Sequence, residues 1–170
     1  MRFVPYVLAK DSMRLPVTVD PMTAVDAEQT NKPPHWQTSW TSDYLNDDRL
    51  EKYAVRLNDE LIGLGAYEIN ESALIVHIVY MEAQPESNPI IAGKERKYRG
   101  IGKLLIAYGI KLSIDNGFNG DVILEAKTTE LARHYADDYG AVQLPSFPSA
   151  APRFLIADVA AKQIFFSYLE

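Results

Sequence analysis

The chain has 170 residues, 47% of them apolar and 24% charged, with a net charge of −6. That length suffices for one domain spanning residues 1–170 with a sizeable core, and the composition is ordinary for a globular protein. No cysteine is present, which excludes disulfides, thiol catalysis and a thiolate zinc site, and the three scattered histidines (His35, His77, His134) lack metal-ligand spacing, so no metal is expected. The acidic balance argues against a general nucleic-acid-binding surface and suits a cationic or amine substrate better.

No stretch approaches 18 apolar residues, and the opening Met1-Arg2-Phe3-Val4-Pro5 leads into no long apolar run. Neither a membrane span nor a secretory signal is expected, and a cytoplasmic location follows. Residues 2–9 and 15–19 read as short strands, whose prolines place them at sheet edges. Residues 20–35 are polar and proline-punctuated, a loop with room for one helical turn. Trp36, Trp40 and Tyr44 then recur every four residues, a spacing that lines one face of a helix. Such a face either packs its aromatics onto a sheet or, with Asp43, Asp47, Asp48 and Glu51 nearby, walls in an amine substrate. Residues 53–57 and 61–69 read as a hairpin around Asn58-Asp59-Glu60. Residues 73–82 carry the strongest strand signal, a continuous β-branched and aromatic run of the kind covered on both faces. A longer connection, 83–91, contains Pro85 and Pro89.

The next stretch, Lys94-Glu95-Arg96-Lys97-Tyr98-Arg99-Gly100-Ile101-Gly102-Lys103, enters a helix over 100–115 that Asn116-Gly117 ends. Two glycines one residue apart let a ligand approach the main chain, and a helix start offers amides with no intrahelical partner at a positive dipole end. Five basic residues in ten surround the turn. The combination suits a phosphate; the plainer alternative is a solvated basic turn ahead of a core helix. Two commoner phosphate loops are set aside, because a dinucleotide fingerprint needs a third glycine and an NTPase loop needs Ser or Thr where Leu104 stands. Residues 121–127 form the next strand. Thr128 or Thr129 caps a helix over 130–139 that Gly140 terminates. A short strand (141–144), a loop (145–152), a strand (153–157) and a helix (159–169) capped by Asp158 complete the chain. The order strand, glycine loop, helix, strand, helix, strand is an α/β pattern built on a β-α-β unit.

Lys97-Tyr98-Arg99-Gly100-Ile101-Gly102 resembles the acetyl-CoA loop of the GNAT N-acetyltransferases, Gln/Arg-x-x-Gly-x-Gly/Ala, with lysine a departure at its first position. The element order is similar over roughly residues 55–145. Glu82-Ala83-Gln84-Pro85 with Asn88, then Ala126-Lys127-Thr128, then His134-Tyr135 before Gly140, resemble a bacterial subgroup of that family. The resemblance implies a GNAT acyl-CoA N-acyltransferase fold, a mixed central sheet with a splayed strand pair flanked by helices. It implies acetyl-CoA as co-substrate and an amine acceptor on a small molecule, peptide or protein, with room for a homodimer. The cofactor would be held by Met81 at the end of strand 73–82, by Arg96, Lys97, Tyr98, Arg99, Gly100, Ile101, Gly102 and Lys103, and by Thr129.

Acetyl transfer to an amine needs a base, because an ordinary ammonium has a pKa of ~10. It also needs hydrogen bonds for the carbonyl oxygen and an acid for the departing thiolate. By resemblance, Glu82 is the candidate base, directly or through water, or else a solvated strand-end carboxylate. Tyr135 is the candidate acid, although it lies one residue, about 100° round a helix, from the family's tyrosine position at Ala136; packing in the core is its alternative. His134 is a further acid or base candidate, or a helix-surface histidine. Trp36, Trp40, Tyr44, Asn88 and Lys127 would face the substrate. The displaced tyrosine also motivates a second reading, a non-catalytic CoA-binding or protein-interaction module. A toxin-type enzyme modifying charged tRNA is disfavoured by the acidic balance.

Overall fold

A computed structural model describes every residue of the chain except Lys94. Strands β1 (Tyr6–Leu8) and β2 (Arg14–Pro16) pair antiparallel as a small sheet of their own. A seven-stranded mixed sheet holds, in spatial order, β3 (Thr18–Pro21), β4 (Leu50–Leu57), β5 (Glu60–Asn70), β6 (Ile75–Ala83), β7 (Val122–Glu125), β9 (Arg153–Ile156) and β8 (Val142–Leu144). The helices are α1 (Ala24–Gln29), α2 (Pro89–Ala92), α3 (Ile101–Asp115), α4 (Thr129–Tyr139) and α5 (Asp158–Phe166). The mixed α/β sheet flanked by helices expected from the sequence is the one found. β3 lies at one edge of the large sheet, where its proline costs no ladder bond.

β6 and β7 are parallel, so a crossover must join them, and α3 supplies it. Their register covers only Val76↔Val122, His77↔Ile123 and Ile78↔Leu124, while β6 itself runs on to Ala83.

The chain divides into two compact units, one made of Met1–Ala66, Tyr80–Leu105 and Glu170, the other of Tyr67–Val79 and Ile106–Leu169. In the first unit Trp36, Trp40, Leu45, Ala54, Leu61, Leu64 and Ala66 form a buried cluster. Gly63 on β5 lies under the start of α3: a Cβ there would come within 2.8 Å of the Ile101 Cγ2 methyl. Thr23 and Asp26 form a capping box at α1, and the Arg56 guanidinium donates to both oxygens of the buried Asp26 carboxylate. In the second unit Gly109 of α3 lies so close to Ile78 and Tyr67 that an added Cβ would come within 3.0 Å of the Ile78 side chain and 3.1 Å of the Tyr67 ring, tighter than ordinary contact. Gly140 closes α4 in the left-handed conformation (φ 65°), as its position in the sequence predicts.

Two local expectations are corrected. Residues 36–44 are not a helix but a series of isolated turns. The Trp40 amide goes to the Thr30 hydroxyl at 3.0 Å, a side chain taking a backbone donor that a helix would use. The Gln37 and Thr38 amides go to the distant Glu82 carboxylate. The aromatics therefore share no face: Trp36 and Trp40 are buried, whereas Tyr44 is 60% exposed. At α5, Ala157 occupies the cap position without a side-chain bond. Asp158 is the first helical residue, with φ at 51° and its amide facing the Asp121 carboxylate.

Candidate functional site

The turn into α3 belongs to the first unit. Gly100 has φ +85°, a conformation that a side chain strains. The bond that joins the turn to the helix runs from the Leu104 amide to the Gly100 carbonyl at 3.0 Å. The amides of Ile101 and Gly102 precede it, and helix geometry gives them no acceptor within the helix. A Cβ added at Gly100 or at Gly102 would meet no atom within 4 Å, so the space above both glycines is open. The residue before the helix is a glycine, which has no side chain to cap those amides.

The residues leading in are held firmly. Lys97 donates its amide to the Glu86 carbonyl at 2.8 Å, and Arg99 exchanges backbone bonds with Leu8 of β1 at 2.9 Å each way. The Tyr98 amide donates to Ser87 Oγ at 3.1 Å. Their side chains are also engaged: Lys97 and Tyr98 reach Glu60, and the Arg99 guanidinium donates to Ser12 Oγ at 2.7 Å. Along this stretch, then, the amides of Lys97, Tyr98 and Arg99 are already bonded within the protein. Arg96 and Met81 are partly exposed; Lys94 lies outside the described residues.

Glu82, near the end of β6, is only 4% exposed, so it is not a solvated strand-end carboxylate. It receives the Gln37 amide at 2.6 Å, the Thr38 amide at 3.3 Å and the Trp40 indole N–H at 3.1 Å. Such donors are what a buried charge requires, and they tie the 36–40 turns to the strand. Asn88 strengthens the same junction, donating to Gln37 Oε1 at 3.1 Å and capping Ile90 with its own oxygen. Tyr80 completes the cluster, sharing a 2.7 Å hydrogen bond with Thr38 and standing edge-on to Trp40. Of the three predicted substrate-facing aromatics, the structure thus leaves only Tyr44 exposed.

In the second unit α4 is capped by Thr128, whose hydroxyl accepts the Leu131 amide at 3.1 Å. Thr129 is the first helical residue, exposed like Lys127. Tyr135 is buried, stacked with Tyr139 and edge-on to Phe154. Burial, aided by the nearby Glu125 charge, pushes its phenol up to about 12, so it stays protonated at neutral pH. His134 is half-exposed on the helix surface and pairs with Asp138 and, at 3.1 Å, with the Tyr139 hydroxyl. A further cluster escaped the sequence reading. Glu125 at the end of β7 meets His77 Nε2 at 2.7 Å and Arg153 at 3.9 Å. Burial would raise the Glu125 carboxyl, but the His77 hydrogen bond, with the nearby His77 and Arg153 charges, outweighs this and holds it below the usual range. The available signal was a carboxylate closing an otherwise apolar strand.

The sequence matches no protein-family model and no curated protein. Solved structures do match. The GNAT domain of S. lividans PAT superposes with a TM-score of 0.58 at 15% identity, covering 89% of this chain and 95% of that one. The fold is that of the GNAT acetyltransferases. The PaiA N-acetyltransferase of Thermoplasma acidophilum, solved with coenzyme A, gives a TM-score of 0.58 at 13% identity over 84% of this chain and 99% of its own. The ribosomal-protein-S18-alanine N-acetyltransferase of Escherichia coli gives 0.57 at 11% identity, over 84% and 96%. What the chain shares with them at these identities is the GNAT fold, spanning nearly their whole length.

Proposed function

We propose that the chain is an acetyl-CoA-dependent N-acetyltransferase that moves an acetyl group to a primary amine of a small molecule, peptide or protein. The observation that carries this reading is the turn at Gly100–Gly102: a GNAT fold, a helix start without a side-chain cap, and open space where any Cβ would stand. A pyrophosphate fits those features, since it accepts from main-chain amides and is favoured by the positive helix end. The coenzyme-bound GNAT neighbour supports the same ligand.

Bound acetyl-CoA supplies the acyl group as a thioester, whose C–S bond is exchanged for a C–N bond to the acceptor. The Ile101 and Gly102 amides hold the phosphates. Glu82 accepts N–H bonds from Gln37, Thr38 and Trp40 and so anchors the 36–40 turns, and it is the candidate base, acting directly or through water. Tyr135, a protonated phenol at neutral pH, has the chemistry of the acid that a departing thiolate needs.

A second reading is favoured by the same two residues: a buried carboxylate enclosed by donors and a buried phenol also suit a non-catalytic CoA-binding module. Calorimetry with acetyl-CoA tests both, and a chain with no saturable binding is neither. Release of CoA in the presence of an amine panel, followed with a thiol-reactive dye and lost in Tyr135→Phe, establishes the enzyme. Tight binding with no release under any acceptor establishes the module.

A further inference from the structure

We propose that Glu60, the first residue of β5, is a positioning residue for the glycine turn, and that Lys97 is a strut rather than a phosphate ligand. This rests on reading the turn as an acetyl-CoA site. The Glu60 carboxylate is a hub that accepts from Lys97 Nζ at 2.8 Å, Gln84 Nε2 at 3.0 Å and the Tyr98 hydroxyl at 3.1 Å. Gln84 is itself fixed, its amide donating to the Ile62 carbonyl at 2.9 Å. Its side-chain oxygen accepts from Ser87 Oγ at 2.8 Å, and Ser87 Oγ accepts the Tyr98 amide at 3.1 Å. Glu60, Gln84, Ser87 and Tyr98 thus form a closed ring, with Gln84 and Ser87 each 3% exposed.

Each member of this ring has a consistent donor or acceptor role, so the bonds reinforce one another. Burial alone would raise the Glu60 carboxyl, but hydrogen bonds from Lys97, Gln84 and Tyr98 outweigh it and hold the group below the usual carboxylate range. The Lys97 ammonium is raised in turn, chiefly by its bond to Glu60. Both groups are charged at neutral pH and largely neutralise each other. Lys97 stands where the family pattern has Gln or Arg, yet its ammonium is turned to a strand and its charge is spent there. The ring fixes residues 97 and 98 against β5, so the amides that follow are aimed before any ligand arrives. That is pre-organisation, which sharpens binding without a direct contact.

The test is calorimetry of the full chain with acetyl-CoA at low and high salt, for the wild type, Glu60→Gln, Lys97→Met, the double variant and Glu60→Asp. Glu60→Gln and Lys97→Met should each weaken binding about tenfold. The double variant should be no weaker than either single one, because both break one interaction, and Glu60→Asp should recover part of the loss. The salt dependence of Lys97→Met should match the wild type, since no phosphate contact is removed. Tighter binding in Glu60→Gln, additive losses, or a flattened salt dependence in Lys97→Met would show Lys97 to be the ligand and overturn the proposal. Should Glu60→Gln fail to fold, Tyr98→Phe removes one arm of the ring, and unchanged affinity in that variant also overturns it. A wild type that binds no acetyl-CoA sinks the reading of the turn and this proposal with it; equal binding by wild type and Glu60→Gln sinks this proposal alone.

Discussion

Residues 37–38 and residues 101–102 both turn consecutive backbone amides in one direction, and the chain treats them oppositely. At the first pair it brings its own anion, the Glu82 carboxylate, which takes both amides and the Trp40 indole and is buried by doing so. At the second pair the flanking residue is Gly100, which has no side chain to offer, and the space beyond is open. The first pair shows how this protein satisfies main-chain donors when it is building structure. The second departs from that habit, and it is at this unfilled turn that the proposed function places the phosphates.

The contrast can be broken most directly at the filled end. Glu82→Ala would leave buried donors without an acceptor and should lower stability by about 3 kcal/mol or more, measured by denaturant unfolding; a cost below about 1 kcal/mol would mean that water replaces the carboxylate there. At the open end, Gly102→Trp points into unoccupied space and should leave the melting curve nearly unchanged. Acetyl-CoA affinity should nonetheless fall about a hundredfold or more, and an unaltered affinity in a folded variant removes the turn from the site.

Smaller effects sharpen the same division in the second unit. Tyr135 and Tyr139 are both raised to about 12, each chiefly by burial. A raised folded-state pKa stabilises fully below the unfolded value of ~10 and is lost as pH rises through the folded one. Stability should therefore decline between about pH 10 and pH 12, by on the order of 2 kcal/mol per tyrosine. Flat stability across that range, followed by circular dichroism, would place both hydroxyls in water. Last, Thr128→Ala removes a helix cap made by the chain itself and should cost about 1 kcal/mol with no change in acetyl-CoA affinity.

The fold was legible where one local property decided the outcome. The β-branched run of β6, the Gly140 stop and the Gly-Ile-Gly turn each carry their conformation in their own residues, and each is found where the sequence places it. The 36–44 segment was not legible, because its four-residue aromatic period is real in sequence but is overridden by a carboxylate 45 residues away. Glu82 lies near the end of its strand as the sequence places it, but the donors that bury it come from residues 37–40 and were not legible for the same reason. The Lys97–Glu60 pair, 37 residues apart, and the His77–Glu125 pair, 48 apart, leave no trace in any window short enough to read as a motif. Local stereochemistry is written in the sequence; the choice of partner for a charge is made by the folded sheet.

Gly63 carries one more consequence. The Ile101 methyl that would lie 2.8 Å from its Cβ belongs to a β-branched side chain with little freedom to rotate away. Even an alanine at position 63 would act as a wedge beneath the first residue of α3, shifting the helix start that the proposed function reads as facing the phosphates. The angle at which that helix begins thus has a lever in the middle of a strand, and a screen confined to the turn itself would never reach it.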